Sequence, residues 1–181
     1  MDPEAKAVLD FWFEELTVEQ HFRKDDAVDS AIRRRFGALV ERLGRAAPQA
    51  WLDDPRAVLA AVIVLDQFPR NIHRGDPRAF AHDAEALALT KLALERGHDR
   101  DLSQKERQFL YMPLMHSEVL EDQRRCVALF ETLGDADALD FARRHLAIIE
   151  RFGRFPHRNA ALGRASSAEE AAFLQEPGSG F

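Results

Sequence analysis

Apolar residues recur at helical spacing through almost the whole chain, and no stretch alternates apolar with polar over the length of a strand. Val8, Phe11, Trp12 and Leu16 mark a first helix, opened by Asp2 as cap and Pro3 at the first helical position. Thr17 to Lys24 reads as a connection. A second helix runs from about Asp25 to Leu43, with Val28, Ile32, Phe36, Leu39 and Leu43 on one face. Gly44 is placed to end it by entering the left-handed cap conformation. Ala46 to Asp53 is a loop in which Trp51 and Leu52 dock on the core. Asp54-Pro55 opens a third helix as Asp2-Pro3 opens the first, and Val58 to Leu65 is apolar all round, which predicts a central, buried helix. Pro69 lacks an amide hydrogen and disfavours helix before it, so this helix should end near Gln67.

The pattern continues in the same manner. Gly75-Asp76-Pro77 is a turn, and a fourth helix runs to Arg96 and is stopped by Gly97. Ser103 and Glu106 form a capping box that opens a helix through Tyr111 and Met112, which Pro113 should kink or split. Helices then run from about Ser117 to Leu133, stopped by Gly134, and from about Ala136 into Arg151. Ser166 and Ser167 offer overlapping capping boxes with Glu169 and Glu170 for a short last helix. About seven or eight helices with short connections predict an all-α fold of antiparallel helix pairs. The 181 residues suit one all-α domain over 1–176, at most a tight pair of subdomains, with 177–181 as a flexible tail.

Composition narrows the function classes. The formal net charge of −6 opposes nucleic acid and anionic lipid as partners. The longest apolar run, Ala57 to Leu65, falls far short of the roughly 20 residues of a membrane span. A single cysteine, Cys126, excludes an internal disulfide and a multi-cysteine zinc site and fits a reducing compartment. The acidic start lacks the features of a signal peptide, so a soluble, cytoplasmic protein is expected. No His-Glu-x-x-His pattern, glycine-rich phosphate loop or dinucleotide fingerprint occurs, and neither metal nor cofactor is expected. Arg33-Arg34-Arg35 reads as a solvated face, and His82, His98 and His145 as superficial or structural.

Two basic stretches stand out against that acidic background. Leu65-Asp66-Gln67-Phe68-Pro69-Arg70-Asn71-Ile72-His73-Arg74-Gly75 is echoed by Arg151-Phe152-Gly153-Arg154-Phe155-Pro156-His157-Arg158-Asn159, with Leu162-Gly163-Arg164 beyond. The echo suggests a degenerate internal duplication. Arginine presents a planar fork that matches carboxylate or phosphate, and asparagine adds an amide donor. Read as two walls of one anion-attracting site, the ligand-binding candidates are Asp66, Gln67, Arg70, Asn71, Arg74, Tyr111, Arg154, His157, Arg158 and Asn159. Converging arginines need counter-charge, and Asp66, Asp83 and Glu118 are the internal candidates. The competing structural reading is that Phe-Pro plugs a core while Arg and Asn bind the last carbonyls of the preceding helix. In Tyr111-Met112-Pro113-Leu114-Met115-His116-Ser117-Glu118, His116 titrates near neutrality and is the candidate catalytic acid or base, with Glu118 to orient it.

At these motifs, and at Val8-Leu9-Asp10-Phe11-Trp12-Phe13, the chain resembles the bacterial family known as domain of unknown function 924, over nearly its whole length. The resemblance implies a tetratricopeptide-like helical fold and no settled activity. Three readings follow: a module binding an anionic small molecule or peptide between the two motifs, an enzyme acting on such an anion through His116, and an interaction scaffold whose motifs are structural.

Overall fold

The structure of the protein, a computed structural model, describes residues 1–180. It is helical throughout: ten α-helices, supplemented by short 3-10 and π turns, with no strand among the described residues. The chain divides into two compact units. The first comprises Met1–Arg74 and Arg78–Pro113, and the second comprises Gly75–Pro77 and the chain from Leu114 onward.

The first unit is built on α5 (Pro55–Ile72), against which α1 (Pro3–Asp10), α3 (Asp26–Leu43), α4 (Gln49–Leu52) and α6 (Asp83–Glu95) all pack. Every residue of α5 from Ala57 to Pro69 is buried, as its all-round apolar sequence predicts. Asp54 caps this helix through the amides of Arg56 and Ala57, and Asp2 caps α1 in the same way. Phe68 is fully buried and meets Phe36 at 5.1 Å, Trp12 at 5.7 Å and Phe11 at 6.3 Å between ring centroids. Burying one such side chain contributes about 1.5–3 kcal/mol. The Phe-Pro pair of the first motif is therefore a core plug.

Several local expectations are corrected. The helix α5 does not stop near Gln67 but runs through Pro69 to Ile72. Proline removes one amide donor, and the chain regains contacts at once: the His73 amide donates to Pro69 O at 2.9 Å, and Arg70 Nη1 donates to Asp66 O at 2.6 Å. Likewise α7 (Gln104–His116) is not split at Pro113, although the division between the two units falls there. Gly44 ends α3 with φ −60°, in the right-handed region, and an added Cβ there would press on the His82 ring, which would have to move aside. Thr17–Lys24 contains a short helix, α2 (Val18–Phe22), and a π turn precedes it at Phe11–Glu15. The expected fourth helix is present as α6, with Arg96 as its C-cap and Gly97 left-handed after it, but it begins at Asp83, after a 3-10 turn at Pro77–Phe80.

The second unit holds α8 (Leu120–Leu133) packed on α9 (Ala136–Phe152), and the short α10 (Ala168–Phe173). Its apolar cluster is Ile148, Ile149 and Phe155, with Leu120, Phe152 and Phe173 against it. Gly134 and Gly153 end α8 and α9 with φ of 73° and 69°, the left-handed caps glycine adopts without strain. Of the two possible capping boxes before α10, the structure forms Ser167 with Glu170. In the segment expected as a tail, Gly178 O accepts from Arg144 Nη2 at 3.4 Å and Ser179 Oγ donates to Leu174 O at 3.2 Å; Phe181 lies outside the described residues. No described helix is long and apolar enough to cross a membrane.

Candidate functional site

The first motif lies in the first unit, where its polar side chains meet carboxylates. Arg70 donates Nη1 and Nη2 to the two oxygens of Asp83 at 2.7 and 2.9 Å, and its Nη1 also lies 3.4 Å from Asp66. Asp66 is 1% exposed and accepts from Gln67 Nε2 at 2.6 Å. One turn on, Asp29 takes three bonds: Asn71 Nδ2 at 2.8 Å, Arg74 Nε at 2.7 Å and Arg74 Nη2 at 2.9 Å. Each arginine–carboxylate pair is a two-point fork, the strong form of the interaction. Tyr111 is buried, and its hydroxyl donates to Asp99 at 2.8 Å; burial first, then that carboxylate, push its pKa up.

The second motif lies in the second unit and follows the same plan. Arg154 donates Nε and Nη2 to the two oxygens of Glu170 at 2.7 and 2.8 Å and holds that carboxyl down at about 2. Arg164 donates Nη1 and Nη2 to Glu118 at 2.8 and 2.9 Å, Nη2 also to Phe155 O at 3.1 Å, and Nε to Asn159 Oδ1 at 2.9 Å. Glu118 accepts in addition from the Phe155 amide at 2.8 Å. Burial alone would raise the Glu118 pKa, but the Arg164 bonds and that amide outweigh it and hold the group ionised. Asn159 is buried and donates to Ser166 Oγ at 3.1 Å. Asp66, Asp83 and Glu118 thus each meet an arginine.

A different set of groups gathers round Phe155. The guanidinium of Arg158, itself buried, lies 4.6 Å from the ring centroid. The His157 ring is 5.6 Å from Phe155, the His145 ring 5.5 Å, and the His116 ring 6.4 Å from His145. His145 is 5% exposed, and its Nδ1 lies 2.7 Å from Phe141 O. Its pKa falls to about 3, from burial first and then from the positive charges of His116, His157 and Arg158, against the Phe141 bond. The structure therefore brings His157, Arg158 and His145 round Phe155, with His116 beside His145. It assigns Arg154, Glu118 and Asn159 to the ion-pair and hydrogen-bond latch beside this cluster.

No motif marked Asp29, and the sequence showed His145 only as a superficial or structural residue and Glu170 only as part of a helix cap. His145 follows Ala138 and Ala142 and precedes Ile149 on the buried face of α9, so a core-facing histidine was signalled by spacing alone. Asp29 sits on the buried face of α3 with Ile32 and Phe36, an acid at a core position. Arg33 is not simply solvated, since its Nη2 donates to Ile72 O at 2.8 Å. Cys126 is buried and burial pushes its thiol pKa up, as a structural cysteine should behave. No group of three or more His, Cys, Asp or Glu among the described residues is arranged to hold a metal.

The fold and these latches define an all-helical protein of two compact units, each carrying one buried Phe-Pro pair whose neighbouring arginines are forked onto carboxylates. The chain belongs to the family described as bacterial protein of unknown function (DUF924), which it matches over residues 8–178. A solved structure of a protein of unknown function from Agrobacterium tumefaciens is 37% identical and superposes with a TM-score of 0.90, over 95% of this chain and 97% of that one. Among curated proteins, none matches this chain.

Proposed function

We propose that the protein is a binding module for a small anion or an acidic peptide group, taken up at Arg158, His116 and His157 of the second unit. The observation that carries the reading is the cluster around Phe155: the buried Arg158 guanidinium and the His157 and His145 rings lie against one aromatic side chain, and the His116 ring lies beside His145. A carboxylate or phosphate entering that cluster gains charge-assisted bonds without a large ordering cost, because Arg158 is already packed. The latch formed by Arg154, Arg164, Glu118 and Glu170 fixes the backbone that carries His157 and Arg158. The single cysteine supports a reducing compartment as the place of work.

The experiment is a thermal-shift screen against phosphates, nucleotides, acyl and amino acids and short acidic peptides, with wild type beside Arg158→Ala and His157→Gln. A ligand at about 100 times its Kd adds about 2.7 kcal/mol. The expected result is a shift in wild type that both variants lose. No shift with any anion, or a shift that both variants keep, overturns the reading. Binding retained but turnover lost in His116→Ala would instead identify His116 as the acid or base of an enzyme.

A further inference from the structure

The first unit contains a cleft of about 360 Å³ lined by Lys24, Asp26, Asp29, Ser30, Arg33, Asn71, Ile72 and Arg74. It joins the beginning of α3 to the end of α5, and it lies apart in sequence from the residues round Phe155. Three cations, Lys24, Arg33 and Arg74, face two carboxylates, Asp26 and Asp29, so the walls carry one positive charge in excess in a chain of net charge −6.

The two arginines are fixed by protein acceptors before any ligand arrives. Arg74 uses Nε and Nη2 on Asp29, which leaves Nη1 outside that fork, and its side chain is 37% exposed. Arg33 uses Nη2 on Ile72 O, the last carbonyl of α5, and neutralises the negative end of that helix, which would otherwise repel an anion. Asp29 is 8% exposed and takes three donors, so its charge is spent within the wall. Lys24 lies 3.3 Å from Asp26 at the exposed rim. Guanidinium groups held in this manner lose little freedom on binding and match a tetrahedral oxyanion in planar, two-point fashion.

We infer that this cleft is a site for a phosphomonoester, with Arg74 and Arg33 gripping the phosphoryl oxygens, Lys24 closing on them from the rim and the Ser30 hydroxyl available to the remainder of the ligand. The volume admits a small phosphorylated metabolite and not a folded partner.

The test is titration of the full chain with inorganic phosphate and with glycerol phosphate at constant ionic strength, followed by calorimetry and by chemical-shift changes of the arginine side chains. Removing one charge-assisted grip should weaken binding about tenfold. Arg33→Gln and Lys24→Gln should each show that loss, while Arg34→Gln, one residue along α3 and outside the cleft wall, should bind as wild type does. Both test positions are exposed, so folding is retained and is checked by the melting curve. Absence of phosphate binding in wild type overturns the inference. So does an equal loss in Arg34→Gln, which would mean diffuse attraction to the surface, and so does a loss confined to Arg158→Ala, which would place the anion in the second unit.

Discussion

Arg164 and Glu118, 46 residues apart in sequence, close a two-point ion pair at 2.8 and 2.9 Å inside the second unit. The same carboxylate accepts the Phe155 amide, and the same guanidinium reaches the Phe155 carbonyl. Both backbone groups of one buried phenylalanine are thereby held by a single salt bridge. The pair fixes where Phe155, His157 and Arg158 stand.

Glu118→Gln should destabilise the second unit by about 1–2 kcal/mol at neutral pH, the cost of exchanging a charged acceptor for a neutral one. The fold lowers the Glu118 pKa, so its contribution is fully present above the unfolded value of about 4.3 and disappears as pH falls through the lower folded value. Melting curves from pH 6 to pH 3 should therefore fall more steeply in wild type than in Glu118→Gln. Parallel curves would show that the bridge adds nothing to stability.

Arg70 and Asp83 make the corresponding pair in the first unit, with Asp66 as a second carboxylate. Arg70→Met should cost about 3 kcal/mol in chemical denaturation, because it removes the cation beside the buried Asp66. Arg70→Lys should recover only part of this, since an ammonium restores the charge but cannot span both Asp83 oxygens. Full recovery by lysine would mean that charge alone, and not the fork, holds the site.

The fold was largely legible because helices announce themselves locally. Aspartate caps, the Ser103 box and the Gly97 and Gly134 stops are decided within a few residues, and the all-apolar Val58–Leu65 stretch has only one place to go. Pro69 and Pro113 misled because a proline near the end of a helix removes only one bond, and tertiary packing carries the helix on. The candidate site was legible only as residue types. Which arginine finds which acid depends on partners 13 to 46 residues away, such as Asp83, Glu170 and Glu118, and no local pattern specifies them. Spacing puts both Asp29 and His145 on a core face, but it does not say which partner a polar residue finds there.

Gly44 illustrates a constraint of space. Its φ of −60° suits any residue, yet an added Cβ would crowd the His82 ring. Gly44→Ala should destabilise the first unit by about 1–3 kcal/mol through overpacking. Gly44→Ala combined with His82→Ala should recover most of that loss relative to His82→Ala alone, the coupling expected of two residues in direct contact. Additive effects in the double-mutant cycle would contradict the crowding.

His145 supplies the pH dependence that separates the second unit from ordinary acid unfolding. Burial is the main cause of its depressed pKa, and His116, His157 and Arg158 add positive charge from around it, while the Phe141 carbonyl acts in the opposite direction. A histidine whose folded pKa is lowered to about 3 stays neutral in the fold while the unfolded chain takes up its proton below about 6.5. Its contribution is thus complete above about pH 6.5 and shrinks as pH falls, by up to about 1.4 kcal/mol per pH unit. His145→Gln keeps a donor for the Phe141 carbonyl and removes the titration. Hydrogen exchange of the Ile148 and Ile149 amides, measured from pH 7 to pH 4.5 and corrected for intrinsic rates, reads the second unit directly. Wild type should lose protection over this range and His145→Gln should lose much less. An anion bound among Arg158, His116 and His157 would offset the positive charge round His145, so the wild-type slope should flatten in its presence. A slope that neither the substitution nor saturating anion alters would remove His145 as its origin and, with it, the electrostatic argument for the binding site.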